Sequence, residues 1–174
     1  MSQTSTQLYV ARLEQLKPSD LWTLRAHAGQ PLDASLDGFD LFTGLWWPLR
    51  QRSAQAPRRE IAWLVAKLYA TAPLPYEPGR TFADQLSSCA PLGPQGQARL
   101  VEAFDRLLLI SLDGIEAPLG RMLKLLSFRA RTLDWAQLID DLSAWERTSI
   151  REQWVDQFLA RSNGGPKKGE QNAD

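Results

Sequence analysis

Two tryptophans bracket the stretch LDWAQLIDDLSAW (Leu133 to Trp145), and no other feature constrains the fold of this chain so tightly. Trp135, Leu138, Leu142 and Trp145 are separated by 3, 4 and 3 residues, the spacing that lines one face of an α-helix. Asp134 stands just before the apolar run, where its carboxylate can accept hydrogen bonds from first-turn amides as an N-cap. Asp140 and Asp141 are adjacent, so they diverge by about 100° around the helix axis and do not converge on a metal or a scissile bond. The next segment, TSIREQWVDQFLARS, matches: Thr148 or Ser149 is the expected cap, and Ile150, Trp154 and Phe158 form an inner row at spacing four. The opening stretch therefore reads as a packing anchor and not as a site.

Helical signals run through the rest of the chain. PSDLWTLRAHAG has Ser19 as its expected N-cap and Gly29 as its terminator. In PRREIAWLVAKLYATAP, Pro57 suits a first-turn position, Ile61, Leu64, Val65 and Leu68 share a face, and Pro73 is the stop. TFADQLSS reads as a short helix capped by Thr81. Leu100, Phe104, Leu107 and Leu108 line one face of QARLVEAFDRLLLI, and Ile115, Leu119, Met122 and Leu126 line one of IEAPLGRMLKLLSF. No segment alternates with a two-residue period between hairpin turns, so strands are not needed. The Pro/Gly-rich stretches PLPYEPGR and PLGPQG punctuate the chain. The expected fold is all-α: an N-terminal helical lobe over 1–80, a linker with a short helix over 81–95, a C-terminal helical bundle over 96–161 and a disordered polar tail over 162–174.

Chemistry is harder to find than packing. The chain has 174 residues, one histidine, one cysteine and a formal net charge of zero. Cys89 alone makes neither an internal disulfide nor a Cys-rich zinc site, and it lacks the basic neighbours that would activate a thiol. His27 lies near a helix end, where a partial positive charge suits the dipole, and reads as structural. There is no second histidine for a metal pair, no phosphate-binding glycine loop and no Ser-His-Asp order, so neither a catalytic group nor a cofactor is expected. An enzyme would need an acid or base drawn from Asp, Glu, Tyr or Lys in an unrecognised pocket. No apolar run approaches the roughly 20 residues of a membrane span, and the start of the chain lacks signal-peptide architecture, so a cytoplasmic protein is expected.

What remains is the cations. Fifteen of the twenty are arginine, the residue suited to bidentate phosphate contacts and equally to structural ion pairs. Arg121 and Lys124 lie three apart, off the row of Leu119, Met122 and Leu126, with Glu116 their only nearby acid in sequence. Arg147 and Arg151 lie four apart, opposite the Trp154 row. Arg99 and Arg106 share a face with Glu102 between them.

The succession from Asp105 to Leu159 resembles the CasB family, the small subunit of the type I-E Cascade complex, an RNA-guided surveillance assembly of CRISPR immunity. The likeness is carried by Arg106; by Leu119, Arg121, Lys124, Leu125 and Leu126; by Leu133, Asp134 and Trp135; by Asp141, Leu142 and Trp145; and by Trp154 and Phe158. It extends more loosely to SDLWTLRAHAG and APRREIAWLVAKLYA, where Arg25 and Arg58, followed by Arg59, stand at basic positions. The chain departs from the pattern at Asp105-Arg106 and Arg25-Ala26, where the family often has Arg-Arg, and at Asp156 and Gln157, where Arg is common. The resemblance implies a two-lobed, non-catalytic helical protein. Two copies would stack along the inner side of the Cascade backbone, touching the backbone and large subunits. They would help hold the guide RNA–target DNA hybrid and the displaced DNA strand. Arg25, Arg58, Arg59, Arg106, Arg121, Lys124, Arg147 and Arg151 are then the expected nucleic-acid contacts, made to phosphates and without base readout. The alternative is a helical adaptor making only protein contacts, for which Trp46-Trp47 beside Pro48 would serve.

Overall fold

The computed structural model describes residues 2–89, 93–129 and 131–162. Among these there are nine α-helices: α1 (Ser5–Glu14), α2 (Pro18–Ala26), α3 (Leu36–Arg52), α4 (Arg59–Thr71), α5 (Phe82–Ser87), α6 (Pro94–Leu108), α7 (Glu116–Phe128), α8 (Trp135–Ser143) and α9 (Thr148–Ser162). Two short 3-10 turns, Leu32–Ala34 and Leu112–Gly114, precede α3 and α7. No strand forms among the described residues; a single parallel bridge joins Tyr76 to Leu133. The expected all-α fold is what the chain adopts. Except for Ser162, the expected tail lies outside the described residues.

α4 is the hub. The expected apolar face was Ile61, Leu64, Val65 and Leu68, yet every residue from Ile61 to Ala70 is buried. The reason is that α2, α3, α7 and α8 all pack on it, so the helix has no solvent side over most of its length. Tyr9 of α1 closes the arrangement by donating its hydroxyl to the Ala62 carbonyl at 2.7 Å, and burial raises its pKa. The buried charge of α4, Lys67, is satisfied by the Gln30 carbonyl at 2.9 Å and the Glu116 carboxylate at 2.7 Å, and it lies 5.2 Å from the Trp63 ring centroid.

The anchor stretch packs as its spacing demands. Trp135 is fully buried, donates its indole N–H to the Leu74 carbonyl at 2.8 Å and meets Tyr69 edge-on at 5.3 Å. Trp145 falls just past the end of α8, where its indole donates to the Ile110 carbonyl at 2.9 Å and its ring meets Trp154 edge-on at 4.9 Å. Trp154 also touches Phe82 of α5, and Phe158 stacks on Phe104 of α6 at 4.4 Å. Asp134 caps α8 as expected, accepting from the Gln137 amide at 2.9 Å.

Several local expectations are corrected. Lys17, not Ser19, occupies the N-cap of α2, because Pro18 takes the first helical position and leaves Ser19 inside the helix. Pro57 lies outside α4, whose N-cap is Arg58. Pro94 opens α6 instead of belonging to a loop, and Gly93 turns the chain into it with φ +89. Gly29 does end the α2 segment, with φ +76. Cys89 is fully buried, and the His27 ring bonds the Thr23 carbonyl at 2.7 Å and the Ser35 hydroxyl, a structural role as expected.

Candidate nucleic-acid interface

α7 packs Leu119, Met122, Leu123 and Leu126 inward. The helical period then leaves Ala117, Arg121, Lys124 and Phe128 on its solvent face, and all four are exposed. Arg121 stands between two surface grooves. One, of about 400 Å³, runs between α6 and α7 and carries Arg106 on its other wall. The second, of about 310 Å³, is shared by Arg121, Lys124 and Glu116 with Ala28, Gly29 and Thr71 at the ends of the α2 segment and α4. Arg25 reaches the same corner, its Nε donating to the Ala70 carbonyl at 3.0 Å. Tertiary packing thus brings Arg106 of α6 beside Arg121 and Lys124 of α7, and turns Arg25 of α2 onto the end of α4.

Their charges are not equally free. Glu116, the acid nearest Arg121 and Lys124 in sequence, turns to Lys67 and to the Gly29 amide, at 2.7 and 2.8 Å. Among the described residues neither Arg121 nor Lys124 enters an ion pair, whereas Arg106 pairs with Glu102 one turn away. An unneutralised pair of exposed cations on one face has the chemistry that suits an anion such as a phosphate.

The other expected cations lie apart. Arg58 reaches the Ser143 carbonyl at the end of α8, at 3.3 Å, and Arg147 is exposed in the turn that follows. Arg151 was expected on an open face opposite Trp154; instead it is half-buried with its guanidinium 5.4 Å from the Trp145 ring centroid, because that ring projects past α8 to meet α9. Arg59 lies 3.8 Å from Glu60 and lines a third groove of about 630 Å³ with Trp63 and Lys67. Several remaining arginines serve the fold: Arg12, Arg50 and Arg131 donate to the carbonyls of Leu45, Ala54 and Ser88.

The carboxylates diverge as the spacing requires. Asp140 accepts from Thr6 of α1, and Asp141 accepts from Trp154 and Gln137 at 2.7 and 2.8 Å. Burial holds both above the usual Asp range, and for Asp141 the two hydrogen bonds oppose that rise. Among the described residues no group of three or more His, Cys, Asp or Glu side chains could hold a metal ion, and no helix is long and apolar enough to cross a membrane. Sequence reasoning missed the inward turn of Lys67, although its place in the apolar run AWLVAKLYA was a signal. It also missed Phe128, whose exposure shows only once the ends of α7 are known. Trp46 and Trp47 divide their roles: Trp46 stacks on Phe42 and donates to the Pro57 carbonyl at 2.7 Å, while Trp47 is exposed.

An all-helical body that gathers cations from separate helices onto one face is the class of protein these observations define. The sequence profile of the CRISPR-associated protein Cse2 family matches residues 20–159, and the chain belongs to that family. No curated protein sequence matches it. Among solved structures, the fold is similar to that of M. ruber CasB at 21% identity and TM-score 0.73, covering 92% of this chain and 95% of that one. It is also similar to a Cse2-family CRISPR-associated protein from Thermus thermophilus, at 25% identity and TM-score 0.66, covering 91% and 99%. A chain in the structure of E. coli Cascade bound to a PAM-containing double-stranded DNA target matches at 12% identity and TM-score 0.65, covering 91% and 99%.

Proposed function

We propose that this chain is the non-catalytic small subunit of a type I-E Cascade complex in CRISPR antiviral defence, and that it holds nucleic acid by its backbone without reading sequence. Family membership supports the place in the assembly, with the backbone and large subunits and a second copy of the chain as its protein partners. The observation that carries the nucleic-acid role is the free pair Arg121 and Lys124 on the exposed face of α7, with Arg106 across the adjoining groove. Phosphates release counterions when cations such as these neutralise them, which favours binding whatever the bases are. Base pairing between guide RNA and target DNA then supplies sequence recognition, and the small subunit steadies the hybrid and the displaced strand.

The test is Arg121→Ala combined with Lys124→Ala in the full chain, titrated against two unrelated single strands over a salt series. Affinity is expected to fall similarly for both strands. The slope of log affinity against log salt flattens by about 0.7 for each lost contact. Unchanged affinity and slope in a folded variant would remove this face from the binding surface. A second reading, a helical adaptor making only protein contacts, is favoured by the exposure of Trp22 at 68% and Trp47 at 48%. Mainly apolar contacts would leave partner binding almost insensitive to salt, which separates the two.

A further inference from the structure

Phe128 closes α7 with 85% of its surface in solvent, more than any other large apolar side chain among the described residues. A lone exposed aromatic needs no explanation by itself, but the setting of this one is unusual. It stands on the same face as Arg121 and Lys124, about 10.5 and 6 Å further along the axis at 1.5 Å per residue. From Ala117 to Leu133 the chain carries four cations and no carboxylate. Three other exposed apolar side chains differ: Trp22 follows Asp20 by two positions, and Leu36 and Phe39 stand beside Asp37 and Asp40, where a polyanion is repelled.

Resting on the phosphate-binding role of α7 given above, we propose that Phe128 is a stacking platform for one unpaired base of a bound single strand. The division of labour follows from the helix itself. Carbonyls of the last turn carry partial negative charge, so a phosphate is held a turn or two back, at Lys124 and Arg121. An uncharged base is not repelled there and can lie on the ring. A paired base has both faces covered by its neighbours in the stack, so the ring selects an unpaired strand over a duplex. Every base has a π-face, so the contact adds affinity without sequence readout.

The test compares the full chain with Phe128→Ala, Phe128→Trp and Phe128→Leu, using an oligothymidine strand and an abasic strand of the same length and charge. Wild type and Phe128→Trp are expected to prefer the oligothymidine. Phe128→Ala should lose that preference, weakening oligothymidine binding about 5-fold or more while leaving the abasic affinity and the salt slope unchanged. Phe128→Leu should behave as Phe128→Ala. If Phe128→Leu instead retains wild-type preference, the side chain acts through bulk apolar contact and the stacking assignment falls. Equal binding of both strands by wild type overturns the base platform and leaves phosphate binding standing. Binding of neither strand overturns both, and Phe128 is then a surface for a protein neighbour.

Discussion

Trp154→Phe is the sharpest test of how the C-terminal helices hold together, because it removes one donor while keeping an aromatic ring in place. The indole N–H donates to Asp141 Oδ2 at 2.7 Å, and the ring is clasped by Trp145 and Phe82, each with centroids 4.9 Å away. Asp141 is only 3% exposed, and its other side-chain partner is Gln137, on Oδ1 at 2.8 Å. Losing a hydrogen bond to a charged group costs about 1.5–3 kcal/mol. The smaller ring adds about 1 kcal/mol of lost contact. A total of about 3 kcal/mol corresponds to a fall in Tm of roughly 6–12 °C for a chain of this size. The loss should also depend on pH. Burial raises the Asp141 pKa from its ordinary 3.8, and the Trp154 bond pulls against that rise, so the variant's pKa is raised further. The lost bond belongs to the carboxylate form: its effect is fully present above both folded pKa values and shrinks as pH falls through them. Asp141 itself, with a raised folded pKa, contributes stability that is present below 3.8 and lost as pH rises through the folded value. Thermal melts followed by circular dichroism near pH 7 and near pH 4 read both effects. A Tm unchanged near pH 7, or a loss of the same size at both pH values, would refute the reasoning.

Trp135→Ala should destabilise the chain by about 3–5 kcal/mol, since a fully buried indole and its bond to Leu74 are lost together; chemical denaturation measures it. Two glycines of α3 should respond in opposite directions. At Gly38 an added Cβ would meet His27 Nε2 at 2.9 Å, in a ring already held by Thr23 and Ser35, so Gly38→Ala should cost about 1–3 kcal/mol. At Gly44, mid-helix with nothing within 4 Å, Ala should stabilise by up to about 1 kcal/mol; parallel melts of the two variants decide. The Arg121→Ala, Lys124→Ala variant should keep wild-type stability to within about 0.5 kcal/mol, because neither cation has an ion-pair partner to lose.

Much of the fold is legible along the chain. The spacing of Trp135, Leu138, Leu142 and Trp145, the cap at Asp134 and the rows of α6, α7 and α9 follow from a 3.6-residue period that any isolated helix obeys. The period also separates Arg121 and Lys124 from the buried row of α7, so the core of the candidate site is visible before any folding is considered. α3 is less legible: Pro48 lies inside the helix, where a proline ordinarily signals an end, and packing of Phe42, Trp46 and Leu49 overrides that local preference.

Sequence by itself determined that this chain is helical, where most helices bury their faces, and that its cations, most of them arginines, stand off those faces. Only the tertiary structure decided which cations remain free. Lys67 and Glu116 are 49 residues apart, yet their pairing neutralises the acid that local spacing sets against Arg121 and Lys124. Arg151 is drawn onto Trp145, and Arg25 is carried to the end of α4 beside the α7 grooves. A periodic pattern records which side of a helix is apolar, because that depends on neighbours three and four residues away. The availability of a charge depends instead on partners brought close by packing, and Coulombic attraction acts on distance in space, with no regard for separation along the chain.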